Sequence, residues 1–161
     1  MKRLALVLAL LPACGGADPK ALTDAGAARL NTGDASGAVA KLDLALTRMA
    51  PGDPDFLRAS LLLCQALAQT SPERAQEQFL LLARAQVDVV KEADYALVAD
   101  EMLRAGAIEP AAAIAEAGLK RFADSTAMKA LRDRVGDAAL RSGDRRSLEN
   151  LRGLGYAGED G

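Results

Sequence analysis

The chain has no histidine and no tryptophan, and only two tyrosines, three phenylalanines and two cysteines among 161 residues. Without histidine, the Ser-His-Asp and Cys-His nucleophile arrangements and the commonest zinc ligand are excluded. Strands draw on aromatic and β-branched residues, so an aromatic content of 3% argues against a sheet. Alanine and leucine dominate instead and suit closely packed helices, which predicts an all-α fold. Positive charge is not in excess either. The formal charge is −2, and it becomes −4, with 18 basic against 22 acidic side chains, once Lys2 and Arg3 are set aside. A sequence-wide basic field for nucleic acid is therefore missing, and no nucleic-acid partner is expected. Half the residues are apolar and a quarter charged, enough to bury the core of one ordinary domain.

What the sequence does contain is a recurring phrase. Leu30-Asn31-Thr32-Gly33-Asp34 returns as Leu103-Arg104-Ala105-Gly106-Ala107, as Leu140-Arg141-Ser142-Gly143-Asp144 and, degraded, as Leu67-Ala68-Gln69-Thr70-Ser71. The leucines are spaced 37, 36 and 37 residues apart, and a fixed period of about 20–50 residues signals stacked repeats. Each phrase reads as a helix end, a turn and a helix start, with glycine as the residue just past the helix and aspartate as the next cap. Four helical hairpins follow. The first covers residues 20–49, with Ala38, Val39, Leu42, Ala45, Leu46 and Met49 as the inner stripe of its second helix. The second opens at Asp53-Pro54, read as a cap before a proline at the first helical position, and repeats that device at Ser71-Pro72. Its second helix turns Ala75, Phe79, Leu82 and Ala83 inward. The third runs over residues 91–121 and turns at Gly106. Its inner stripe is Ala111, Ile114, Gly118, Leu119 and Phe122. The fourth begins near Asp124, carries Leu131, Val135, Gly136 and Leu140, turns at Gly143-Asp144 and ends in a short helix through Leu151.

Gly26, Gly33, Asp34, Ala38, Leu42, Ala45 and Leu46 stand where the tetratricopeptide repeat pattern sets Gly, Gly, Asp, Ala, a large apolar residue, Ala and Leu. On these residues the chain resembles that family, although the pattern's Trp and Tyr are missing. The resemblance spans residues 20–152 and implies a right-handed α-solenoid of about four hairpins, with Gly26, Gly33, Ala38, Ala45, Gly106, Gly136 and Gly143 as structural repeat positions. In that family the first helices line a concave groove that binds a protein or peptide. Asp100 with Arg104, and Asp137 with Arg141, fall at groove positions on the first helices of the third and fourth hairpins. They are the candidate partner-binding residues, set against a plainer reading as i, i+4 pairs on a solvated helix face. Charge is also uneven: residues 88–116 carry seven acids and two bases, and residues 120–152 nine bases and five acids. Such a gradient can steer a charged partner.

The N-terminus reads as a separate unit. Met1-Lys2-Arg3 precedes an apolar run over residues 4–11, too short for a hydrocarbon core that needs about 20 helical residues. The run ends Leu11-Pro12-Ala13-Cys14-Gly15-Gly16, which resembles the lipobox of bacterial lipoproteins. The resemblance implies removal of residues 1–13, a diacylglyceryl thioether and further acylation (palmitate) on Cys14, and residues 14–19 as a lipidated flexible tether. With Gly15 at the second position, it implies attachment to the cell outer membrane, facing the periplasm. Residues 153–161 read as a loose glycine-rich tail. Gly153, Gly155 and Gly158 spell a dinucleotide fingerprint that lacks the strand and helix it requires. Cys64 reads as a small core hydrophobe within an apolar helix, and Asp53-Pro54-Asp55 lacks the further ligands of a calcium loop. The expectation is a non-enzymatic, membrane-anchored adaptor or scaffold. It has no catalytic residue, cofactor, metal or small-molecule substrate, and its partners are a protein or peptide and the membrane. The alternative is an accessory subunit packed on a larger envelope complex with no peptide groove in use.

Overall fold

A computed structural model describes residues 17–156. The expected leader and lipidated Cys14 fall within residues 1–16, which with residues 157–161 lie outside the described residues. The described residues form eight α-helices and no strand, so the fold is all-α. The helices are α1 Pro19–Asn31, α2 Ala35–Leu46, α3 Phe56–Thr70, α4 Pro72–Ala85, α5 Glu92–Arg104, α6 Ile108–Arg121, α7 Thr126–Ser142 and α8 Arg145–Arg152.

All four copies of the phrase lie where one helix ends and the next begins. Gly33, Gly106 and Gly143 have φ of +81°, +78° and +74°, a left-handed backbone that other residues adopt only at a cost. Asp34 and Asp144 follow two of these glycines. Their carboxylates accept from the backbone N–H groups of Gly37 at 2.8 Å and Ser147 at 3.1 Å, satisfying amides that the helix start leaves open. The second copy does without glycine because Ser71 alone joins α3 to α4, at an extended φ of −159°.

Helices of one row pack α1 on α3, α3 on α5 and α5 on α7, while α4, α6 and α8 form a second row. The rows meet at α1–α2, α2–α3, α3–α4, α5–α6, α6–α7 and α7–α8, so all the substantial packings join helices one or two places apart. The core between them is made largely of small residues. Ala38, Ala45, Ala59, Ala66, Ala75, Ala99, Ala111, Ala115 and Ala139 are fully buried. At the tightest crossings even alanine is too large: a Cβ on Gly26 would sit 2.6 Å from Leu42 Cγ, and one on Gly118 2.6 Å from Met128 Sδ. Larger side chains fill the middle of the stack, where Phe79 of α4 meets Tyr95 of α5 edge-on at 4.9 Å and Tyr95 meets Phe122 at 5.9 Å.

Four expectations are corrected. Asp53-Pro54 does not open α3, which starts at Phe56; the Asp53 carboxylate instead accepts from the Ala50 N–H at 2.8 Å and closes the preceding loop. Ser71 does precede Pro72 at a helix start but makes no side-chain cap bond. Asp18 and Pro19 belong to α1 rather than to a tether, since the Asp18 carboxylate accepts from Ala21 N–H and Pro19 is the first helical residue. Finally, the tail is docked as far as Tyr156. Its ring is buried over Gly136, where a Cβ would collide with it, its hydroxyl donates to Asp137 at 3.0 Å, and Arg132 donates to the Leu154 carbonyl at 3.0 Å.

Asp24, Asp34 and Asp144 are held below the usual carboxylate range. The main causes are the Arg58 guanidinium for Asp24, the Gly37 amide for Asp34, and the Ser147 hydroxyl and amide for Asp144. A carboxylate depressed in the folded state contributes stability above its unfolded value near 3.8, and the contribution fades as pH falls through the folded value. The melting temperature is therefore expected to drop between pH 5 and pH 2. An Asp34→Asn, Asp144→Asn variant, which keeps both caps but loses both charges, should show a shallower drop by circular dichroism. Equal slopes would contradict this assignment.

Candidate functional site

Two features of the surface concern function, and they arise from different parts of the repeat. The first is the set of charged residues on the odd helices. Asp100 and Arg104 do not pair with each other. Asp100 receives two hydrogen bonds at 3.0 Å and one at 3.2 Å from Arg134, 34 residues on in α7. Arg104 pairs with Glu101 at 2.5 Å, and Glu101, 9% exposed, also accepts from Gln69 of α3 at 3.1 Å. Asp137 accepts from Tyr156, and no ion pair joins it to the exposed Arg141. Hence no i, i+4 pair exists in either place, and three of the four candidate residues already have partners within the chain.

Bonding of the same kind recurs along the chain. Arg58 reaches Asp24 at 2.8 Å, Arg74 reaches Asp43 at 3.2 Å, and Arg146 reaches Glu109 at 2.8 Å. Together with Arg134–Asp100, and with Ser125 donating to Glu92, these contacts link residues roughly one period apart. The acid-rich third hairpin packs beside the base-rich fourth, and the Arg134–Asp100 and Arg146–Glu109 pairs engage part of that asymmetry inside the molecule. Each such exposed pair is screened by solvent and contributes little on its own. Their value is in register more than in stability. Sequence spacing pointed to Asp100 but missed Arg134 and Glu101, because an i, i+4 pattern within one helix hides a partner one period away.

The second feature is an apolar cleft between the end of α2, the first half of α3 and the second half of α4. Its volume is about 290 Å³. Leu46, Pro51, Phe56, Leu63, Leu81, Leu82 and Ala85 supply its walls, with Ser60, Gln78 and Gln86 the polar groups and Cys64 in its lining. Gln86 donates to the Pro51 carbonyl at 2.9 Å and so ties the α2–α3 loop to the end of α4. Leu81 is 51% exposed, as is Val87, and Val89 46%, so the cleft adjoins a helix end that presents apolar side chains to solvent. No charged side chain lines it. A more polar hollow of about 360 Å³ lies along α4, α6 and α8, with Glu73, Glu109, Glu116 and Arg146 in its walls.

Among the described residues no group of three or more His, Cys, Asp or Glu side chains is placed to hold a metal, and no helix is long and apolar enough to cross a membrane. No family model, curated protein or solved structure matches the chain.

Cys64 is a free thiol, 1% exposed, and burial pushes it up to about 12. A pKa raised from 9.0 to about 12 lowers the thiolate fraction at pH 8 by roughly a thousandfold. In a Cys14→Ser background, an aromatic disulfide reagent should label Cys64 at least about a thousand times more slowly in native protein than in denaturant. Comparable rates would show that α3 does not bury this side chain.

Proposed function

We propose that the chain is a non-enzymatic lipoprotein of a bacterial cell envelope, anchored through Cys14 to the outer membrane and facing the periplasm. In this reading it is an adaptor: a right-handed α-solenoid of four tetratricopeptide-like hairpins that binds a protein or peptide partner. The observation that carries the reading is the reach of the packing. The substantial packings all join helices one or two places apart, and polar contacts bridge neighbours such as Asp24 and Arg58 or Asp100 and Arg134. A stack of that kind grows in one dimension and leaves long faces uncovered, the geometry that repeat proteins use for recognition. The positive φ of Gly33, Gly106 and Gly143 supports the same repeat.

Partner recognition then falls to groups that the hairpins do not consume. On the odd row, Arg141 and Leu140 are exposed, Leu140 by 45%. A second reading is favoured by one specific observation. An apolar cleft lies between α2, α3 and α4, and Leu81 of α4 with Val87 and Val89 just past it are exposed, an apolar surface as expected of an accessory subunit that packs on a larger complex with no peptide groove in use.

Metabolic labelling with palmitate tests the anchor. Label is expected in the protein from the membrane fraction and should vanish with Cys14→Ser; a Cys14→Ser protein that is still labelled and still sediments with membranes overturns it. Crosslinking of a tagged protein in whole envelopes tests the adaptor. Exchanging Asp137 and Arg141 should change the captured partners, whereas an unchanged set favours the accessory-subunit reading.

A further inference from the structure

We infer that one acyl chain carried by Cys14 seats in the apolar cleft between α2, α3 and α4, clamping the helical stack close to its own anchor. The inference rests on the lipidation of Cys14 proposed above. Position is the first argument. The Ala17 carbonyl accepts a hydrogen bond of 2.5 Å from the guanidinium of Arg48, and Arg48 comes two residues after Leu46, which lines the cleft. Short turns make α1–α2 and α3–α4 antiparallel, so the start of α1, the end of α2, the start of α3 and the end of α4 share one end of the stack. Cys14 precedes Ala17 by three residues, a reach of about 10 Å. The anchor thus leaves the body beside the cleft.

Chemistry is the second argument. The cleft offers apolar walls, two amides and one hydroxyl, with no charged side chain. A peptide backbone laid there would bury N–H and C=O groups against walls that answer few of them, which is costly. An alkyl chain carries no such groups, and its burial is favourable methylene by methylene. The volume of about 290 Å³ has room for roughly ten groups of the size of a water molecule, at about 30 Å³ each. That suits part of one acyl chain, and the remaining chains stay in the bilayer.

Cells fed a diazirine-bearing palmitate analogue would supply the full-length lipidated protein for irradiation and peptide mapping. Adducts are expected on the α3 and α4 peptides that contain Leu63, Leu81 and Ala85. Leu81→Glu, at a half-exposed site that tolerates a charge, should cut them at least about tenfold with incorporation and melting unchanged. Adducts confined to phospholipid, or to other helices, would overturn the docking while leaving lipidation intact. Absence of incorporated probe, read separately on a gel, overturns the lipidation and the docking together. If Cys14→Ser protein mixed with the free analogue gives the same adducts in equal yield, the source is free fatty acid, and the assignment to the protein's own anchor fails.

Discussion

Where α1 crosses α2, the Leu42 side chain lies so close to Gly26 that a single methyl on that glycine would overlap it. The rest of the stack depends on close approach of this kind. Ala38 and Ala45 are fully buried in the same hairpin, Gly118 lets Met128 and Tyr95 in, and Gly136 provides the seat for Tyr156. Helices this near each other leave little room for large side chains, which accounts for a core rich in alanine and a sequence almost without aromatics. Three of the five rings, Phe79, Tyr95 and Phe122, meet edge-on in the middle of the stack.

Close packing between neighbours also decides what the charges do. With the substantial packings limited to adjacent units, an acid on one hairpin meets a base on the next, and Asp100–Arg134 and Glu109–Arg146 do so between the third and fourth units. Charges engaged in this way set the order and register of the stack and are less available to a partner. What stays open is an odd-row face that presents Leu140 and Arg141, and an apolar cleft at the end of the stack where α1 begins.

Much of this was legible in the sequence because helix pairs punctuate themselves. Gly33, Gly106 and Gly143 mark three turns through a backbone need that few other residues meet, and Ala38 and Ala45 mark the seam of the first hairpin through their size. Contacts that depend on three dimensions were not legible. Asp53 could cap a helix or close a loop, and only the position of Ala50 decides for the loop. Leu140 shares its place in the phrase with Leu67, yet Leu67 is 1% exposed and Leu140 is 45% exposed; α5 packs on α3, whereas among the described residues no later odd-row helix packs on α7. Tyr156 sat in a glycine-rich tail with no periodicity around it, and its docking becomes visible only once Gly136 is seen to leave a slot of matching shape. The cleft arises from the mutual placement of three helices, and no single one of them signals it.

Neighbour-only coupling along the stack is the central claim, and native-state hydrogen exchange on a Gly136→Val variant tests it most directly. Valine at that position expels the Tyr156 ring and loosens the last hairpin. Neighbour-only coupling predicts faster exchange in α7 and α8, a smaller change in α5 and α6, and none in α1 and α2. Exchange that rises equally in all eight helices would contradict it, showing one indivisible core in place of a chain of stacked units.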